Sequence, residues 1–445
     1  MEASQTSGGL SAPAASTAEL GHWFRSAVFV GSFLLVWVST APFKGSYQVS
    51  AEESSNLVNQ IAFSLFAVLG IAGAASSAGR VAARAYLRPT WLIFVFWMTI
   101  GVFQSANPEI SMRAFRFTLV VITMAGAVML LPRDQRHFAA LLGTTALIVI
   151  LVCYAGLIVF PDIAIHSAGD ALEPEHAGAW RGLFDHKNIA GAMMVIMMLI
   201  GIFVAGAHSP RFGFVITGLA ATFLFFTGSK TSMGLGPFVV LVGLACARID
   251  KLWLRGLLAL GPLAILMTAT IGSVLFKPVN AIVQAVSPGQ TFTGRTEIWS
   301  FAIDRLANRA WTGFGLEGFW GSPYVLYAEI GENESGIAQG MVHGHNGYID
   351  LAIAFGIPGL LLSVMVLILL PLRDHHRVIR TQANRAMAEL FFRIWLFALY
   401  SACLETFFFR RADPVWFALL VAIIGLRLTS RYRVLPGPPA AGQPK

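Results

Sequence analysis

Phe276-Lys277-Pro278 ends one long apolar run, and His343-Gly344-His345-Asn346-Gly347-Tyr348 opens the next. Between them lies a polar insertion carrying Gly294-Arg295-Thr296-Glu297-Ile298-Trp299. In a chain this apolar, a long polar insertion calls for a reason. Of 445 residues, 56% are hydrophobic and 12% are charged, and the mean hydropathy is +0.68. Soluble domains carry about 25% charged residues. Too little polar surface remains to cover a water-facing globule, so the sequence predicts an all-α polytopic membrane protein.

Working outward from the insertion, runs of the right length and apolarity predict about 12 transmembrane helices. Nine lie before the insertion, over Trp23–Ala41, Leu57–Ser76, Trp91–Phe103, Phe115–Leu131, Phe138–Phe160, Asn188–Ala207, Phe212–Thr227, Met233–Ala247 and Trp253–Phe276. Three follow, over Asn346–Leu372, Ala388–Leu404 and Pro414–Leu428. Two polar loops stand out on one side, 161–187 and the larger 277–345. Residues 1–22 and 429–445 read as flexible tails. An even number of spans puts both termini on one side. Most Lys and Arg of the short loops fall there, which predicts cytoplasmic termini and outward-facing loops. The net charge of +8 is thus a mark of orientation and not of nucleic-acid binding. Cys153, Cys246 and Cys403 all sit in apolar runs and define no disulfide or metal pattern.

The outer side still carries cations at span ends, among them Lys44, Arg113, Arg116, Arg410 and Arg411. Such a ring suits an anionic lipid-linked substrate; snorkelling to lipid phosphate is the simpler reading of part of it. His345, where the loop re-enters the membrane, is a candidate general base. Asn346 is placed to cap the following helix. His343 is a second candidate base, with Gly344 between the two. Taken alone, His345 reads more readily as a loop residue satisfying a hydrogen bond. Arg181, His186 and Lys187, at the start of the sixth span, form a candidate phosphate site helped by free N–H groups of the helix. Arg295 opens an amphipathic helix, Trp299 to Trp311, expected to lie on the membrane surface. Gly228-Ser229-Lys230-Thr231-Ser232 lacks the Gly-Lys adjacency and the strand of a P-loop; Lys230 is expected to face the same cavity as Arg181. Asp162, Asp170, Glu173 and Glu175, with His176, match no strong metal-ligand spacing.

The block His345 to Gly359 reads H-N-G-Y-I-D-L-A-I-A-F-G-I-P-G. With G-R-T-E-I-W and the G-S-K-T-S turn, it resembles the region shared by bacterial O-antigen ligases within the O-antigen polymerase and ligase superfamily. The resemblance covers roughly Gly228 to Gly359, together with the span number and the position of the large loop. It implies a GT-C-like glycosyltransferase of the inner membrane, active at the periplasmic face in lipopolysaccharide biosynthesis. Such enzymes transfer O-antigen polysaccharide from undecaprenyl pyrophosphate to lipid A-core, with neither metal nor ATP. In this reading His345 activates the acceptor hydroxyl, and Arg181 and Arg295 hold the pyrophosphate. His343, Asn346, His186, Lys187 and Lys230 supply further substrate contacts. An O-antigen polymerase or a protein O-oligosaccharyltransferase would share the donor and differ in acceptor. A secondary transporter is the reading from another class, and the absence of an internal repeat weighs against it.

Overall fold

The computed structural model describes residues 17–40, 42–43, 57–75, 84–169, 174–289, 291–292, 294–329, 336–381 and 384–432. The expected flexible tails lie mostly outside these residues, as do Lys44, Asp170 and Glu173. Thr17 to His22 are helical, so the first helix starts before the expected boundary.

Fourteen of the helices organise the site. They are α1 (Thr17–Trp37), α2 (Leu57–Ala75), α3 (Pro89–Phe103), α4 (Pro108–Val128), α5 (Gln135–Val159), α6 (Lys187–Ala207) and α7 (Pro210–Thr227). These are followed by α8 (Lys230–Cys246), α9 (Leu252–Leu275), α10 (Lys277–Val286), α11 (Arg295–Leu306), α12 (Gly347–Thr381), α13 (Arg385–Ser401) and α14 (Pro414–Thr429). Between α5 and α6 a single bridge pairs Ile165 with Trp180. Helices dominate for a physical reason: in hydrocarbon each backbone N–H and C=O needs a partner, and a helix supplies it internally. Their ends are marked by side-chain caps at Asn107, Asp134, Ser209 and Asp413. Proline opens α3, α4, α7 and α14, where its missing N–H costs nothing.

Eight helices among the described residues are long and apolar enough to cross a membrane: α1, α2, α4, α5, α6, α7, α9 and α12. The chain is therefore a multi-pass membrane protein. The other four expected spans form helices at the expected places. Three of them, α3, α8 and α14, are shorter apolar helices. The fourth, α13, has 17 residues with Arg385, Glu389 and Arg393 on it, and its acid is paired with both arginines. Helices α6 and α13 are the buried pillars. Small residues let neighbours approach: a Cβ at Gly201 of α6 would sit 2.9 Å from the Gly213 carbonyl of α7.

Helix α12 is broken. Gly356 has φ 67° and ψ −177°, outside helical space. Residues of the large loop dock into the break: Ile357 donates to the Ala310 carbonyl at 2.7 Å, and Phe314 donates to the Ile353 carbonyl at 2.8 Å. Only glycine fits here, because a side chain at Gly356 would enter the Trp311 carbonyl.

The expected amphipathic surface helix is corrected in start and in placement. It begins at Arg295, and its apolar residues Ile298, Trp299, Phe301 and Ala302 are buried. Trp299, Phe301 and Ala302 join Phe314, Phe319, Val325 and Ile353 in a second core. Helical spacing revealed the apolar face but not whether lipid or protein would cover it. Helix α10 has the character expected of a surface helix, since none of its residues is buried and Ile282 and Val286 are exposed.

Candidate functional site

The loop-to-helix junction before α12 is held rigidly. Asn346, fully buried, accepts from the Tyr348 and Ile349 N–H groups at 3.1 and 3.2 Å, and its amide donates to the Cys403 carbonyl at 2.9 Å. Gly344 is pinned from two directions. Its N–H donates to the Asp350 carboxylate at 3.1 Å, and its carbonyl accepts from the Trp299 indole at 2.8 Å. Asp350 also accepts from the Trp320 indole at 2.7 Å and from the Thr406 hydroxyl at 2.5 Å. On either side of this glycine the His343 and His345 rings stand 4.2 Å apart, inclined at 65°. His345 has φ 49°, a left-handed conformation uncommon for a side-chain residue.

The turn after α13 ties distant segments together. Glu405 accepts from the Arg295 guanidinium at 3.3 Å and from the Asn188 amide at 3.0 Å. Its backbone carbonyl accepts from Gly347 at 3.1 Å. Arg295 also donates to the Leu404 carbonyl. Starts of α6, α11 and α12 therefore meet at one residue. Further along the turn, Arg411 pairs with Glu317 of the large loop at 2.5 Å. Arg410 makes no side-chain hydrogen bond or ion pair among the described residues, yet its charge acts on His343, Asp350 and Asp413.

Arg181 is 3% exposed. Its guanidinium donates to the carbonyls of Ile163 and, at 3.3 Å, Asp185, so it clamps the loop before α6. The first two N–H groups at this helix start are occupied. Lys187 donates to the His166 ring at 3.2 Å and Asn188 to the His186 ring at 3.1 Å. The rings of His166, His176 and His186 stand 5.2 to 5.8 Å apart. Lys230 is exposed at the first position of α8. Neither Lys230 nor Arg181 lines the cavity described next.

A cavity of about 500 Å³ opens beside this cluster, between the ends of α1, α2 and α4, the start of α6 and the 410–414 turn. Trp37, Phe63, Phe117 and Val120 make one wall apolar. Arg113, Arg116, Arg410 and Arg411 face it with Asp185, Glu317 and Asp413. Of these arginines, Arg411 is neutralised by Glu317, and Arg410 and Arg116 have no acid partner among the described residues. Burial above all raises Asp413, to about 6, against the opposing pull of Arg410 and two backbone N–H groups.

Burial first, then the charge of Arg410, with His345, Arg295 and His186 behind it, holds His343 well below its ordinary 6.5. The ring is neutral at pH 7, and the same burial and cations oppose its taking up a proton unless a developing anion offsets them. The arrangement thus sets a proton acceptor next to anion-binding groups and a hollow that is greasy at one side and cationic at the other. Arg410 and Asp350 were missed by sequence reasoning. Arg410 entered it only as one of many outer cations, and Asp350 gave no signal beyond its position on the motif.

Residues 193–364 match the family model described as O-Antigen ligase. The chain matches no curated protein. The matched segment runs from within α6 through Arg295 and the histidine pair to the broken part of α12; Arg181, the start of α6 and the 402–413 turn lie outside it.

Proposed function

Starting from membership of the O-antigen ligase and polymerase superfamily, which the match across residues 193–364 supports, we propose that this protein is an O-antigen ligase. It moves a glycan from undecaprenyl pyrophosphate to a hydroxyl of lipid A-core at the periplasmic face of the inner membrane, with both termini cytoplasmic. The observation that carries this reading is convergence. His343, His345, Arg295 and Arg410 come from three chain segments to one end of the bundle, beside an amphiphilic cavity. A polyprenyl pyrophosphate has the matching character, with an apolar chain and a concentrated negative charge.

In the proposed step the acceptor oxygen attacks the sugar C1, and the acceptor proton passes to an imidazole of the His343–His345 pair. The bond from C1 to the phosphate oxygen breaks, and its electrons leave on the pyrophosphate. Arg410 and Arg295 stabilise that charge where little water competes. Attack opposite the leaving group inverts the anomeric centre. Asp350 and Asn346 act as positioning residues through the backbone at 344–349. Arg181 contributes by holding the loop ahead of α6, which is the role its two carbonyl partners support.

The test is reconstitution of the full chain in lipid with a defined lipid-pyrophosphate glycan. Lipid A-core, an acceptor protein and free glycan are then offered in turn. Glycan transfer to lipid A-core supports the ligase. Extension of free glycan alone supports a polymerase, transfer to protein supports an oligosaccharyltransferase, and exchange across the membrane without a new covalent bond supports a transporter.

A further inference from the structure

At the opposite end of the bundle, three guanidiniums gather around one carboxylate. Asp374 of α12 is 1% exposed at its side chain. Arg88, just before α3, donates to it twice, at 3.0 and 3.1 Å. Arg427 of α14 and Arg377 of α12 stand 3.7 and 3.9 Å from the same group. Arg373 and Arg431, both exposed, add positive charge beside Arg377, and among the described residues no carboxylate other than Asp374 acts on Arg377 or Arg427. Arginine stays protonated in proteins, so one acid faces three cations. Buried positive charge of this kind is costly in a membrane unless an anion meets it. Arg427 is incompletely satisfied: its Nε donates to the Ala85 carbonyl at 3.1 Å, but the buried Nη1 stands 3.7 Å from Asp374 and makes no hydrogen bond among the described residues.

A second cavity, of about 460 Å³, opens beside these arginines. Arg88 and Arg427 stand in its wall. The remainder is almost wholly apolar, from Ile71 of α2, Leu92 of α3, Ile122 of α4 and Ile423 of α14. The Tyr86 hydroxyl is spent on the Gly126 carbonyl at 2.9 Å. Ile71, Leu87 and Leu92 on the rim are exposed, so the opening faces the hydrocarbon side of the helices. This places an apolar slot with a cationic end at the depth where a span meets headgroups.

We propose that this cavity binds one anionic phospholipid. Its phosphate sits against Arg427 and Arg88, and one acyl chain fills the slot between α2, α3 and α4. Charge complementarity selects the occupant. The excess of guanidinium over carboxylate favours a headgroup with net negative charge over a zwitterionic one. The site lies at the far ends of α2, α4 and α14 from the histidines and does not depend on the proposed transfer reaction.

The experiment uses the full chain, delipidated in detergent with no glycan donor present. Bound lipid is read by native mass spectrometry and stability by thermal unfolding, during titration with phosphatidylglycerol, phosphatidylcholine or inorganic phosphate. The expected result is one phosphatidylglycerol per chain and a rise in Tm that the other two additives do not reproduce. Arg427→Gln weakens that binding at least tenfold. Thr123→Trp, which fills the slot from α4 and leaves every arginine in place, does the same and decides the matter if the first variant fails to fold. Equal binding of phosphatidylcholine, an equal Tm rise with inorganic phosphate alone, or unchanged phosphatidylglycerol binding in the Thr123→Trp variant would overturn the proposal.

Discussion

The Asp350 carboxylate accepts the N–H of Gly344, the residue between the two histidines, at 3.1 Å. A carboxylate on α12 therefore fixes the backbone between the two imidazoles. A Cβ at Gly344 would lie 2.7 Å from an Asp350 oxygen and 3.3 Å from the Trp320 ring. Gly344→Ala and Asp350→Asn are both expected to lower the transfer rate about 100-fold through misplacement of the histidines. The donor KM should change little. Steady-state kinetics on reconstituted protein separate the two parameters.

Acid sensitivity follows from His343. Its folded pKa lies well below the ordinary 6.5. Below pH 6.5 the unfolded chain takes up a proton that the folded protein refuses, so this group's contribution to stability is full above pH 6.5 and falls as pH drops. Asp413 acts in the opposite sense. Raised from 3.8 to about 6, it favours the folded state at low pH and loses that contribution as pH rises through about 6. His343→Gln removes only the first effect. Thermal unfolding between pH 5 and 8 should show a shallower loss on acidification for this variant than for the parent protein.

Arg410 and Arg295 should separate binding from folding. Arg410 makes no side-chain hydrogen bond or ion pair among the described residues and acts on Asp350 and Asp413 only through its charge, so Arg410→Gln is expected to change the Tm little and raise the donor KM about tenfold or more. Arg295→Ala strands the partly buried Glu405 carboxylate. It should weaken donor use and also cost about 1–3 kcal/mol of stability. The companion Glu405→Gln restores part of that stability if the stranded charge is the cause.

Arg181 is expected to behave differently from both. Its planar guanidinium spans two carbonyls on separate turns of the loop, a geometry that an ammonium does not reproduce. Arg181→Lys and Arg181→Ala should therefore lower the Tm to similar degrees. Detergent-solubilised protein followed by tryptophan fluorescence during heating provides the measurement.

What the sequence revealed, and what it hid, divides by range. The helices were legible because a bilayer imposes length and apolarity on each span separately. Asn346 was legible as a cap, since a cap needs only its next three residues. Gly356 lay in the motif, but its purpose came from Ala310 and Trp311, which dock into the break. Glu405 binds Arg295 across 110 positions, and Asp350 binds Thr406 across 56; no local pattern announces such pairs. The same limit explains the misplaced surface helix. It also explains the start of α6, whose first two N–H groups are taken by His166, 21 residues upstream of Lys187, and by His186.

The most direct measurement is single-turnover transfer from a defined lipid-pyrophosphate glycan to lipid A-core, comparing the parent protein with His345→Ala, His343→Ala and the double variant. The account predicts that the parent forms product with an inverted anomeric centre. It predicts that the double variant, folded and still able to bind donor, forms none. Product formation by the double variant at the parental rate would contradict it.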